Sequence, residues 1–115
     1  MFKKIIILAF LFLSHCSLKA QVDSTKAIIL AQKIAQKMKD SLGLTQIQKN
    51  RIFTVNMKLY SLKKDVRLKN QNNINVITQQ IQNIEKTRDG LYKLILNIAQ
   101  YENYKLKKSK LITNN

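Results

Sequence analysis

The sequence predicts an all-α protein of four helices, arranged as a helical bundle or around a long central helical hairpin that pairs with a second copy. Three observations carry that expectation. None of the 115 residues is proline and only Gly43 and Gly90 are glycine, so little in the chain breaks a helix. Apolar residues recur at intervals of three and four through most of the chain, the spacing that gathers one face of a helix. A pentapeptide of the form Leu-[Thr/Asn]-x-x-Gln occurs twice, fifty-two positions apart, as Leu44-Thr45-Gln46-Ile47-Gln48 and Leu96-Asn97-Ile98-Ala99-Gln100, and each copy reads as a helix start.

Residues 1–20 read as a secretory signal. Lys3 and Lys4 open it, Ile5 to Leu13 is an unbroken apolar run, and Ala20 supplies the small residue before a cut, so the mature helical domain is expected over residues 21–115. The run is too short for a comfortable permanent membrane anchor, and no integral membrane segment is expected after cleavage. Lipid attachment at Cys16 is the competing reading. It is disfavoured by His15, which stands where that pathway wants a small residue.

The first helix is expected from Asp23 or Ser24 to about Leu42, with Ala27, Leu30, Ala31, Ile34, Ala35 and Met38 on one face. Gly43 suits the left-handed position that closes a helix. The second helix runs from Thr45 to about Lys69, roughly 37 Å at 1.5 Å per residue, with Ile52, Val55, Leu59, Leu62 and Val66 as its core stripe. Phe53, Met57 and Tyr60 widen the stripe on one flank, either as further core or as a binding surface. Asn70 to Asn73 supply a turn, since Asn tolerates left-handed backbone.

The third helix continues the seam at Ile74, Ile77, Ile81, Ile84, Leu91 and Ile95, with Arg88 in a stripe position, where it either lines an interface or pocket or snorkels to water. Nine of the fourteen residues from Asn70 to Asn83 are Asn or Gln, but isoleucines at helical intervals within the tract mark a polar helix face rather than a disordered segment. The fourth helix is expected from Ile98 to about Ile112, and its Lys105, Lys107, Lys108 and Lys110 lie near a C-terminus that favours cations.

Each pentapeptide fits a capping box. Thr45 takes the cap position, accepting from the backbone at Gln48, while the Gln48 side chain reaches back to the backbone N–H of Thr45. Asn97 and Gln100 repeat the arrangement, and Leu96 before the cap is placed to staple onto Tyr101, for which the first copy has Lys49. Two such motifs in an exported, basic, helical chain resemble the LTxxQ-motif family of periplasmic proteins, which are Spy/CpxP-like. The resemblance covers most of residues 24–112. It includes Gly43 before the first motif, the long second helix, the Arg88-Asp89 pair and the tail from Tyr101 to Tyr104; the departure is Asn97 where the family has Thr. It implies a thin, cradle-like antiparallel homodimer.

Loss of residues 1–20 would remove His15 and Cys16, the only histidine and cysteine, and with them any imidazole base, thiol nucleophile or thiolate metal site. The six acids, Asp23, Asp40, Asp65, Glu85, Asp89 and Glu102, are scattered among lysines and suggest neither a catalytic carboxylate pair nor an oxygen cage for a cation. No enzyme, cofactor or metal is expected, and the metal binding through histidines seen in some of the wider family does not carry over. Cleavage takes Lys3, Lys4 and Lys19 from twenty-one Lys and Arg, leaving eighteen against six acids, a net charge of about +12. Such charge suits nucleic acid in general. An exported chain meets little of it and no nucleic-acid signature occurs, so the expected partners are acidic or partly unfolded proteins, anionic lipids and surface polymers.

The leading expectation is a periplasmic, ATP-independent chaperone for unfolded or misfolded envelope proteins. Arg51, Lys58, Lys63, Lys64, Arg67 and Arg88 would attract acidic segments over a Debye length of about 8 Å. Ile52, Phe53, Met57 and Tyr60, where exposed, would hold apolar segments weakly and adaptably. The alternative, which resemblance to CpxP implies, is an envelope-stress adaptor that binds the periplasmic domain of a sensor kinase. A binding protein for anionic lipid or polymer is the third.

Overall fold

The computed structural model describes residues 24–112, and every regular element among them is a helix. The expected signal segment and Asp23 lie outside the described residues. Helix α1 covers residues 24–42, α2 Gln46–Lys69, α3 Ile74–Lys93 and α4 Ile98–Leu111. The described chain is all-α with four helices.

Each helix end has a chemical cause. Gly43 ends α1 at φ +66°, and the backbone N–H groups of Gly43 and Leu44 both donate to the Lys39 carbonyl, at 3.0 and 3.2 Å. A Cβ at position 43 would meet open space, so the backbone angle rather than crowding selects glycine there. The α2–α3 turn departs from expectation: no described residue other than glycine has positive φ. Its asparagines act through their side chains instead. Asn70 Nδ2 donates to the Val66 carbonyl at 2.9 Å, Asn73 Oδ1 accepts from the Val76 N–H at 3.3 Å, and the Asn73 N–H closes the turn onto the Asn70 carbonyl at 2.9 Å.

Helices α2 and α3 lie side by side in opposite directions, with Gln48 beside Ile95, Asn56 beside Arg88 and Tyr92, Lys63 beside Glu85 and Asn70 beside Gln80. Helix α1 runs back along α2, its Ala31 carbonyl bonded by Asn56 and its Gln36 by Lys49. Helix α4 returns along α3, where Tyr104 and Lys108 reach Asp89.

All four helices therefore converge where the α1–α2 and α3–α4 connections lie, and the core sits there. Ile34, Ala35, Met38 and Leu42 of α1 pack with Leu44, Ile52, Tyr92, Leu96, Tyr104 and Leu111. The Tyr92 and Tyr104 rings meet edge to face, centroids 5.1 Å apart. The expected α1 face is buried as read, apart from half-buried Leu30.

The seams of α2 and α3 need correction. Ile52 and Leu59 are buried, but Val55 and Val66 only half so, and Leu62 and Ile74 are exposed. Asn56, Arg88 and Tyr92 take the buried positions that a purely apolar stripe would not assign them. Two causes act: Val55 and Leu62 stand on the α2 face away from α1, and toward the α2–α3 turn, among the described residues, only two helices cover one another, which leaves part of each apolar stripe in water.

Candidate functional site

The two pentapeptides, far apart in sequence, meet in space. Both capping boxes form: the Thr45 hydroxyl accepts from the Gln48 N–H at 3.1 Å while Gln48 Oε1 accepts from the Thr45 N–H at 3.0 Å. Asn97 and Gln100 do the same at 2.8 and 3.0 Å. Each glutamine then reaches across. Gln48 Nε2 donates to the Ile95 carbonyl at 3.1 Å, and Gln100 Nε2 to the Gly43 carbonyl at 3.3 Å, so each bonds the residue just before the other motif. The two amides also bond one another, Gln48 Nε2 to Gln100 Oε1 at 2.8 Å. Leu44 and Leu96 are buried on either side. The arrangement is a local two-fold joint that locks the starts of α2 and α4 together, and its chemistry is structural.

The second constellation is built on Arg88, which does not snorkel: it is 5% exposed. Its Nε and Nη2 donate to Glu85 at 2.9 and 3.1 Å, and its Nη1 donates to Asn56 Oδ1 at 3.2 Å and to the Tyr92 hydroxyl at 2.8 Å. Tyr92 in turn donates to Asn56 Oδ1, and Asn56 Nδ2 donates to the Ala31 carbonyl at 3.1 Å. Lys63 pairs with Glu85. Burial, helped by the positive charges of Arg88 and Arg67, nevertheless lowers the Lys63 ammonium to about 8. Burial raises the Tyr92 hydroxyl above its ordinary value.

This network forms one wall of a cleft of about 240 Å³ between α1, α2 and α3. Lys63, Arg67, Arg88, Asn56 and Tyr60 face Ala27, Leu30, Ala31 and Ile34 across it. One wall is cationic and polar, the other aliphatic.

On the other side of Arg88's helix, Asp89 accepts from the Tyr104 hydroxyl at 2.8 Å and pairs with Lys108 at 2.9 Å. Burial alone would raise the Asp89 carboxyl, but the bonds from Lys108 and Tyr104 outweigh it and hold it below its ordinary value. Tyr104 is raised by burial and by the same carboxylate.

The residues expected to form one binding surface fall in three places. Ile52 is wholly buried and Arg88 nearly so, and both serve the interior. Phe53, Met57, Tyr60, Lys64 and Arg67 share the α2 face toward α1, where Phe53 packs on the core and Tyr60 and Arg67 join Lys63 in the cleft. Arg51 and Lys58 stand on the opposite, outward face with Val55 and exposed Leu62. There Arg51, Ile47, Val55 and Ile95 line a shallow groove of about 440 Å³. The sequence reading missed Asn56 and Tyr92 because a polar atom on a stripe reads as surface until its partner is known. It missed Ile47 and Ile98, at variable positions inside the motifs, and Leu94, two residues before the second, because they belong to no stripe, yet the three are 65%, 85% and 83% exposed.

Among the described residues no three His, Cys, Asp or Glu side chains converge, and no helix is long and apolar enough to cross a membrane. No family model, curated protein or solved structure matches the chain.

Proposed function

We propose that this chain is an exported periplasmic chaperone that holds unfolded or partly folded envelope proteins without ATP. The observation that carries the reading is the exposure of large apolar side chains among cations. Ile47 lines the outward groove with Ile95, Arg51 is on its rim and Lys58 about two turns further along α2, while Leu94, next to Ile95, and Ile98, beside Lys93 and Lys105, also stand in solvent. Large apolar side chains grouped in water are a common mark of a protein-binding surface. With about +12 of charge after cleavage, the chain would draw in acidic segments and then retain apolar ones by weak contact.

The active form in this reading is a cradle-like antiparallel homodimer on an α2–α3 hairpin. Val66, Ile77, Ile81 and Ile84 are half-exposed beyond the four-helix core, and the same stripe on a second copy would cover them.

Association kinetics with an unfolded acidic protein test the surface. Raising salt should slow association more than it speeds dissociation, and Arg51→Gln with Lys58→Gln should mimic high salt. Ile47→Ser with Leu94→Ser should mainly shorten the bound lifetime. Salt-independent association and wild-type kinetics in both variants would overturn this surface. Tight binding to one sensor kinase domain alone would favour the adaptor reading instead.

A further inference from the structure

We propose that the cleft between α1 and the α2–α3 pair binds a short straight-chain acyl carboxylate, with the headgroup on Lys63 and Arg67 and the chain along the aliphatic wall of α1. The inference does not depend on the chaperone reading, because it concerns the face of α2 opposite the outward groove.

Charge gives the headgroup. Three cations, Lys63, Arg67 and Arg88, reach the cleft, and the one carboxylate bonded to any of them among the described residues is Glu85. Glu85 is shared between Arg88 and Lys63, while Arg67 is exposed and pairs with no carboxylate among the described residues. The network therefore holds surplus positive charge at the mouth of a partly buried cavity. A planar guanidinium beside an ammonium suits a carboxylate, which Arg can bind through two parallel hydrogen bonds. Arg88, fixed by Asn56, Tyr92 and Glu85, forms a rigid positive floor behind them.

Shape and polarity give the tail. Ala27, Leu30, Ala31 and Ile34 repeat at three and four, so they line one face of α1 for about 10 Å. At about 240 Å³ the cleft lies just below the ~300–1,000 Å³ of drug-sized sites, which favours a short chain. The aliphatic wall also argues against a peptide. A bound peptide backbone brings N–H and C=O groups that need partners, and the side of a helix built from Ala, Leu and Ile offers none. An acyl chain brings no such groups.

The test is a titration of octanoate into the protein as the cell processes it, followed by amide chemical shifts. Shifts at residues 27–34 and 60–67 are expected, with butyrate at least about tenfold weaker and octanol and octylammonium weaker still. Arg67→Gln should weaken octanoate about tenfold and Arg67→Lys less, with helicity and melting temperature unchanged because Arg67 is exposed and outside the core. Leu30→Ser should erase the preference for octanoate over butyrate. Octanol binding as tightly as octanoate, wild-type affinity in Arg67→Gln, or shifts confined to the outward groove near Ile47 and Ile95 would overturn the site. Displacement of octanoate by an acidic-aliphatic peptide of higher affinity would reassign it to polypeptide.

Discussion

Arg88 keeps its charge inside the protein because every group around it is arranged for it: Glu85 neutralises it, and Asn56 and Tyr92 hold its second nitrogen. Arg88→Ala would take the guanidinium from Asn56 Oδ1 and the Tyr92 hydroxyl, which keep only their bond to one another, and would leave Glu85 partly in water and still paired with Lys63, so the loss should be about 2–3 kcal/mol in urea unfolding. A loss well under 1 kcal/mol would show that water replaces the guanidinium freely. Lys63 gives a pH signature. Its surroundings are Arg67 and Tyr60 on α2, Glu85 and Arg88 on α3 and an aliphatic wall on α1, and its folded value of about 8 lies below the ordinary ~10.4. Between those values the unfolded chain binds more protons, so the contribution of this group to stability is unfavourable below pH 8 and improves as pH rises. The stability difference between wild type and Lys63→Gln should therefore shift in favour of wild type from about pH 8 to 10, and a flat difference would contradict the burial of this amine. Asp89 has the opposite history. Its lowered value stabilises the folded state above the ordinary carboxylate range and loses that effect as pH falls through the folded value, so Asp89→Asn should blunt acid destabilisation. Arg88 was legible as an anomaly in an apolar stripe. Its fate was not, because that depended on Asn56, thirty-two residues away on another helix.

The four helices follow from local chemistry. Capping boxes at Thr45 and Asn97, a left-handed glycine at 43 and asparagine side chains at 70 and 73 fix almost every boundary, and all of these residues can be read from the sequence. The joint between the motifs could not be read that way, since a capping box predicts only contacts three residues apart. Thr45→Ala should cost about 1 kcal/mol, the usual loss for a helix cap. Gln48→Ala and Gln100→Ala test the joint itself. Either single change already removes the bond between the two amides, so the double variant should lose less than the sum of the singles, with a coupling of about 0.5–2 kcal/mol by chemical denaturation. Strict additivity would reduce the motifs to two independent caps.

At the scale of the whole molecule, among the described residues one end is a core of all four helices and the other is α2 against α3, with half-exposed isoleucines. The sequence points to that imbalance through second and third helices long relative to the first and fourth, although α1 over residues 24–42 falls little short of α3 over Ile74–Lys93. Which apolar side chains end in water was not foretold, since exposure is set by where α1 and α4 stop. Burial of the expected surface residues Ile52 and Arg88, and the standing of Ile47, Leu94 and Ile98 in solvent, moves the proposed client surface to the outward face. The most direct test is light scattering of two unrelated aggregating proteins, one acidic and one near neutral, with the processed chain added and no ATP. Both should stay soluble at near-stoichiometric ratios, and suppression should weaken in Ile47→Ser with Leu94→Ser while the variant keeps its helicity. Unchanged aggregation of both proteins in the presence of the well-folded wild-type chain would contradict the chaperone reading.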